Sequence, residues 1–190
     1  MNLLSQNVEK LSLKRIGFLQ LTKERLRTKL QGNSLDFISW FDLGFVLHEL
    51  SEFKQSIISL IKGLSLFSSS EGNIDNADAF NYSYSRVYYT LTKNYFKLEE
   101  YDIAQKTLGE VLLINDEFRD DFYGDTYLLQ LMIKLSLYKY DNVLDTTHNI
   151  LFVQNKKPIE FNDDQRLRIL LTHVSALVGL SRYNQASKVM

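Results

Sequence analysis

The sequence predicts an all-α protein in which helical hairpins stack side by side into a solenoid. Four related segments recur at intervals of about 40 residues, a spacing typical of helix–turn–helix repeats that bury their apolar faces only against their neighbours. Pro158 is the one proline in 190 residues, which favours long helices because proline disrupts a helix interior. A hydrophobic content of 45% with 24% charged residues is ordinary for a folded globular protein.

The repeat is clearest at the turn between the two helices of each hairpin. Each copy has a leucine, an aromatic three residues later and a small or slim residue three residues after that: Leu50, Phe53 and Ser56; Leu98, Tyr101 and Ala104; Leu137, Tyr140 and Val143; Leu180, Tyr183 and Ala186. We expect the aromatic to close the turn and the small residue to lie where the two helices cross. Upstream, Trp40, Tyr88, Tyr127 and Leu170 share one position on the first helices.

Residues 1–34 are predicted to form an N-terminal helical cap. Leucine or isoleucine stands at positions 11, 16, 19, 26 and 30, and the helix is expected to end at Gly32-Asn33-Ser34. Seven basic residues stand against Glu9 and Glu24: Lys10, Lys14, Arg15, Lys23, Arg25, Arg27 and Lys29. The favoured interpretation is a capping helix with a solvated polar face. An arm that contacts nucleic acid or an anionic membrane surface is the alternative.

Residues 35–190 are predicted to form the repeat domain, with about four hairpins. Two polar loops interrupt it, at 68–78 and 154–164, and Asn162 is expected to cap the helix that follows the second loop. The chain stops seven residues after Tyr183, so we expect the last repeat to be cut short. Either the chain is a fragment of a longer protein, which we favour, or its final helix pairs with another molecule.

Composition excludes several classes of function. The absence of cysteine rules out disulfides and thiol chemistry and is consistent with a cytoplasmic location. No apolar run is long enough for a membrane span, and a net charge of −1 gives no general reason to bind nucleic acid. We predict no catalytic residue, no cofactor and no metal site. His48 with Glu52, and His148 with Asp145, are interpreted as surface pairs within one helix, too few ligands for zinc.

The repeated segments resemble the tetratricopeptide repeat (TPR) family, over roughly residues 37–190. The matching positions are Trp40, Leu43, Gly44 and Leu47 in the first copy, and Tyr88, Leu91, Tyr95, Tyr101, Ala104 and Leu108 in the second. Successive turn aromatics lie 48, 39 and 43 residues apart, rather than the usual spacing of about 34. The chain is therefore most similar to long-repeat members, which include peptide-sensing regulators of Gram-positive bacteria and motor and polarity adaptors.

The resemblance implies a right-handed solenoid whose first helices line a concave, partner-binding groove. The groove residues it implies are Phe41, Phe45, His48, Arg86, Tyr89, Lys93, Phe96, Leu128, Met132 and Arg168. The lysines, asparagines and arginine with which some members clamp acidic chaperone tails are absent, since Phe41, Phe45, Thr90, Asp125 and Leu129 stand in their places. An apolar and aromatic wall with scattered cations suits an amphipathic helix or an extended apolar peptide.

The leading hypothesis is a non-enzymatic scaffold or adaptor that binds a protein or peptide in this groove. Two alternatives stay open. The chain could be the ligand-sensing TPR domain of a peptide-responsive regulator, or a structural subunit of a larger assembly that uses its shortened C-terminal helix as a contact. The oligomeric state does not follow from the sequence.

Overall fold

A computed structural model describes the backbone of residues 3–69, 77–117, 123–152 and 161–189, and the side chains of 12–69, 84–113, 124–150 and 161–189. Over these residues the chain is all-α, which confirms the predicted fold class. The helices are α1 (Leu3–Gly32), α2 (Phe37–Glu49), α3 (Phe53–Ser69), α4 (Ala77–Lys97), α5 (Tyr101–Glu117), α6 (Tyr123–Ser136), α7 (Tyr140–Phe152), α8 (Asp163–Gly179) and α9 (Tyr183–Val189).

Internal contacts divide the chain into two compact units. Unit 1 comprises Met1–Leu98 and unit 2 comprises Glu99–Met190. The predicted boundary between a cap at 1–34 and a repeat domain at 35–190 does not coincide with this division and stays a prediction.

Each predicted turn aromatic is the first residue of a second helix. Phe53, Tyr101, Tyr140 and Tyr183 begin α3, α5, α7 and α9. The small residues one turn further on are buried, with Ser56, Ala104 and Val143 at 0% exposure and Ala186 at 3%. A small side chain here lets the paired helices approach closely, so the spacing read from the sequence describes real helix crossings.

A left-handed residue reverses the chain between the two helices of every hairpin. Ser51, Glu99, Tyr138 and Ser181 have φ values of 61°, 62°, 57° and 59°. In the first turn the amide of Ser51 donates to the His48 carbonyl, and the amide of Glu52 donates to the Leu47 carbonyl. This pair of bonds is the Schellman pattern, and the third and fourth turns repeat it. This pattern could not be predicted from the sequence, because glycine, its usual marker, is absent from all four positions.

Unit 1 has its core between α2, α3 and α4. Leu60 and Val87 are fully buried, with Phe41 and Leu91 beside them. Two glycines bring α2 and α3 together. A Cβ on Gly44 would lie 2.5 Å from Leu60, and a Cβ on Gly63 would lie 2.5 Å from the Phe41 ring. No larger residue fits either position without displacing its neighbour.

The long helix α1 packs on α2. Leu30, Leu43 and Leu47 are buried there, with Leu26 and Trp40 packed around them. Salt bridges join Arg15 to Glu49, Lys23 to Glu52 and Lys29 to Asp36, all between α1 and the first hairpin or the residues before it. These contacts favour the capping interpretation of α1, because part of its positive charge is neutralised within unit 1.

Unit 2 has its core between α6, α7, α8 and α9. Leu131, Val143, Ile169 and Ala176 are fully buried or nearly so. A Cβ on Gly179 would lie 2.6 Å from the Tyr140 ring, so a glycine is needed where this turn aromatic meets the next hairpin. Large and small residues therefore interlock here as they do in unit 1.

Two helix starts have full side-chain caps. Asp36 precedes α2, and its carboxylate accepts from the amide of Ser39. Asn162 precedes α8 and forms a reciprocal capping box with Gln165, which confirms the predicted cap. Of the predicted loops, 68–78 and 154–164, residues 70–76 and 154–160 lie outside the described residues. Helix α3 runs on to Ser69, so the first loop begins later than predicted.

Candidate protein-binding surface

Helices α2 and α4, the first helices of successive hairpins, lie beside each other in unit 1. The surface they share, called here the α2–α4 face, carries six of the predicted groove residues: Phe45, His48, Arg86, Tyr89, Lys93 and Phe96. Two of its cations lie over aromatic rings. The Arg86 guanidinium carbon is 4.4 Å from the centroid of Phe45, and Lys93 Nζ is 5.5 Å from the centroid of Tyr89. Both distances are within the range of cation–π attraction. The face therefore has aromatic rings and positive charges already held together.

A buried chain of hydrogen bonds supports this face from below. Ser56 Oγ donates to the Gly44 carbonyl over 2.6 Å, and Asn94 Nδ2 donates to Ser56 Oγ over 2.8 Å. The amide nitrogen of Asn94 is thus turned to Ser56, which leaves Oδ1 to face His48 Nδ1 at 2.6 Å. Because that oxygen can only accept, Nδ1 carries the proton and donates.

The network fixes the chemistry of His48. Burial lowers the pKa of its imidazole, although the hydrogen bond to Asn94 acts in the opposite direction. The ring is therefore neutral near pH 7, with Nδ1 protonated and Nε2 left as an acceptor. The expected surface pair of His48 with Glu52 is wrong, because Glu52 accepts instead from Lys23 Nζ at 2.8 Å. His48 is held by a neighbouring hairpin rather than by its own helix.

The structure sorts the predicted groove residues into core and surface. Phe41 and Leu128 are core side chains, 7% and 3% exposed, so neither has surface to offer a partner. The family resemblance implied that both lie on the groove side, but α3 covers Phe41 and neighbouring helices in unit 2 cover Leu128. The half-buried residues are Phe45, His48, Tyr89, Lys93, Phe96 and Met132, and the exposed ones are Arg86 and Arg168.

In unit 2, Met132 on α6 and Arg168 on α8 are the remaining predicted residues. These two helices also pack side by side, and Gln165 Nε2 donates to Asp125 Oδ1 over 3.1 Å. Leu171 and Val178 on α8 are 56% and 45% exposed. Among its described residues, unit 2 therefore offers an apolar first-helix surface without the aromatic–cation pairs seen in unit 1.

Sequence reasoning missed Asn94, which joins three helices. A signal was present in the spacing: Val87, Leu91 and Asn94 follow one another at the four- and three-residue steps of a helix face. An asparagine on such an apolar face needs buried partners, because an unpaired amide in a core is destabilising. His48 and Ser56 are those partners.

Neither a metal site nor a membrane-spanning helix is present in the part of the chain that the structure describes. Those residues contain no group of three or more histidine, cysteine or acidic side chains placed to hold a metal ion. Among the helices so described, none combines the length and the apolar character needed to cross a bilayer.

Comparison with known proteins gives a fold. No family model matches the chain, and no curated protein matches it. Among solved structures, "MamA RS-1 ArsTM double mutant" is similar, with a TM-score of 0.66 and 13% identity over 98% of this chain and 88% of that one. MamA is a TPR-containing protein. At this identity the likeness shows the fold alone: the chain has a TPR-like helical-repeat fold of the α-solenoid class.

Proposed function

We propose that this chain is a long-repeat member of the TPR family and a non-enzymatic scaffold that binds a protein or peptide through the first helices of its hairpins. The observation that carries the proposal is the α2–α4 face, where Arg86 lies 4.4 Å from the Phe45 ring centroid beside Tyr89 and Lys93. Aromatic residues and arginine are the side chains that contribute most at protein interfaces. The lack of cysteine supports a cytoplasmic location for this activity.

The hydrogen bonds beneath the α2–α4 face favour a role of this face in binding. Asn94 is fully buried and ties His48 to Ser56 on α3, so α2, α3 and α4 are fixed in register below the half-buried rings. A partner that covers the face would meet side chains that are already ordered, which reduces the entropy lost on association. His48 Nε2 adds one directional acceptor for a donor on the partner.

The proposal is tested by charge reversal on the face. Arg86→Glu removes the cation over Phe45, whereas Lys62→Glu makes the same charge change at an exposed position on α3. We expect affinity capture from the source cells, with quantitative mass spectrometry, to recover specific partners with the native chain and the Lys62 variant. Recovery with the Arg86 variant should fall by about tenfold, which corresponds to the loss of one hot-spot residue.

Circular dichroism of each variant separates a binding effect from unfolding. Equal partner recovery from folded Arg86→Glu and folded Lys62→Glu would remove the α2–α4 face as the binding surface. If no partner binds the native chain above background, the scaffold function itself is contradicted.

A further inference from the structure

Helix α1 has two stripes of residues with the alternating three- and four-residue spacing of packed helices. The inner stripe is Leu19, Lys23, Leu26 and Leu30, and these side chains are buried or half-buried. Lys23, Leu26 and Leu30 contact the first hairpin. The outer stripe is Lys14, Phe18, Leu21 and Arg25, and all four side chains are exposed. Since residues three and four apart lie on one side of a helix, each stripe forms a continuous seam.

The centre of the outer stripe is apolar. Phe18 is 66% exposed and Leu21 is 52% exposed, a substantial amount of apolar surface for two adjacent positions. The helix contacts that the structure records for α1 are all with α2, on the inner side. The outer apolar centre thus has no covering element among the described residues.

The ends of the outer stripe are positive. Lys14 and Arg25 have no ion-pair or hydrogen-bond partner among the described residues. By contrast, Arg15, Lys23, Arg27 and Lys29 all have acidic partners. Lys14 and Arg25 stand eleven residues apart, or about 16 Å along the helix axis. The outer stripe therefore consists of a cation, two apolar residues and a second cation, in that order along the helix.

We propose that the outer stripe of α1 binds an amphipathic helix of a second protein, one whose apolar seam has a carboxylate at each end. The three- and four-residue spacing matches the geometry in which two helices pack at a shallow crossing angle. Carboxylates spaced about eleven residues apart on the partner would face Lys14 and Arg25, with leucine-like side chains between them against Phe18 and Leu21. This surface is separate from the α2–α4 face.

Charge argues against a second copy of this chain as the occupant. Antiparallel pairing of two outer stripes about their centre sets Lys14 of each copy against Arg25 of the other, and parallel pairing sets like residue against like. Both arrangements bring cations together. A partner with acids at the ends of its seam removes this repulsion.

The arrangement also disfavours a membrane surface. Helices that lie in the membrane interface keep their cations on the polar face, away from the inserted apolar residues. Here Lys14 and Arg25 lie on the same line as Phe18 and Leu21, so insertion of the rings would carry both cations towards the acyl region. The structure therefore favours a protein helix over an anionic bilayer.

The test uses the full chain and a designed helical peptide of about three heptads. The peptide has leucines along its seam and glutamates at two seam positions eleven residues apart, and a control peptide has lysines at those two positions. Fluorescence anisotropy should show that the native chain binds the glutamate peptide at least about tenfold more tightly than the lysine peptide. The double reversal Lys14→Glu with Arg25→Glu should exchange that preference.

The apolar centre is tested separately. Phe18→Ser should weaken binding of the glutamate peptide by about tenfold or more, whereas Leu13→Ser, 62% exposed but off the stripe, should leave it unchanged. Both residues are on the surface, and circular dichroism verifies folding. A preference that does not exchange, or equal losses from Phe18→Ser and Leu13→Ser, would overturn the proposal. So would binding to phosphatidylserine vesicles without binding to the peptide, or a dimer in light scattering that Phe18→Ser dissociates.

Discussion

Asn94 shows at the scale of single residues how a polar side chain is accommodated in a helical-repeat core. It is fully buried, and both ends of its amide are satisfied, by His48 on α2 and by Ser56 on α3. Alanine or valine fills the position of Ser56 in the other three repeats. The first repeat therefore keeps a hydroxyl where a small apolar side chain would otherwise suffice, because the hydroxyl gives Asn94 a partner.

Ser56→Ala is expected to destabilise the protein although it restores the residue type of the other repeats. It leaves the buried Asn94 Nδ2 without its acceptor, which costs about 1–3 kcal/mol of unfolding free energy. Ser59→Ala is the matched control, because the Ser59 hydroxyl bonds only to the Gln55 carbonyl of its own helix and should change stability little. Urea denaturation measures both. In the double variant with Asn94→Ala, the two losses should not add. Additive losses would contradict the network.

Asp36 is expected to make stability depend on pH. Its hydrogen bonds from Lys29 and Ser39 lower the pKa of the carboxyl to about 2 from the usual 3.8. A lowered pKa means that the folded state prefers the charged form, so this stabilisation is complete above about pH 4 and disappears as the pH falls towards 2. Asp36→Ala should cost about 1 kcal/mol at neutral pH, from the lost helix cap.

The pH dependence separates the cap from the charge. The stability difference between native protein and Asp36→Ala should shrink between pH 4 and pH 2, as followed by thermal denaturation. Asp36→Asn keeps a capping side chain that does not titrate, so its stability should change less than that of the native protein over this range. An unchanged difference between native and Asp36→Ala at pH 2 would contradict the role given to Asp36.

At the scale of elements, two glycines that both lie within the second helix of a hairpin have opposite surroundings. A Cβ on Gly63 in α3 would meet the Phe41 ring at 2.5 Å, whereas a Cβ on Gly109 in α5 would meet nothing within 4 Å. The first glycine sets the distance between α2 and α3. The second only lowers the helix propensity of α5.

The same substitution should therefore change stability in opposite directions. Gly63→Ala is expected to cost about 1–3 kcal/mol, because the ring must shift in a packed core. Gly109→Ala is expected to stabilise the protein by about 0.5–1 kcal/mol through helix propensity. Chemical denaturation of the two variants gives both values. A loss of stability for Gly109→Ala would show that α5 is more tightly covered than the structure has it.

Much of the element structure could be predicted because it depends on short-range patterns. The leucine–aromatic–small spacing located the beginning of α3, α5, α7 and α9, and Asn162 located the cap of α8. The burial of Phe41 and Leu128 could not be predicted in the same way. Whether a residue faces a groove or a neighbouring helix depends on how closely the helices approach. For Phe41 that distance depends on Gly63, which stands in another part of the sequence.

At the scale of the whole molecule, the two units have separate cores. The cluster around Leu60 belongs to Met1–Leu98, and the cluster around Ile169 belongs to Glu99–Met190. Both side chains are fully buried. In repeat proteins, stability is approximately a sum of local terms and neighbour terms. The loss of one core side chain should then be felt mainly in its own unit.

Leu60→Ala and Ile169→Ala test this expectation as a reciprocal pair. Each should cost about 2–5 kcal/mol. Hydrogen exchange followed by mass spectrometry should show faster exchange mainly in α2, α3 and α4 for Leu60→Ala, and mainly in α6, α7 and α8 for Ile169→Ala. Uniform acceleration across both units by either variant would indicate one cooperative structure instead.

The left-handed residues at Ser51, Glu99, Tyr138 and Ser181 have a consequence for how such chains are recognised. Each of the four reversals contains a residue with φ close to 60°, although the residue is a serine, a glutamate or a tyrosine. The similarity of the hairpins is therefore clearer in their backbone torsion angles than in their amino-acid sequences. A search for recurring positive φ values at intervals of about 40 residues would therefore find such hairpins even where few of their amino acids agree.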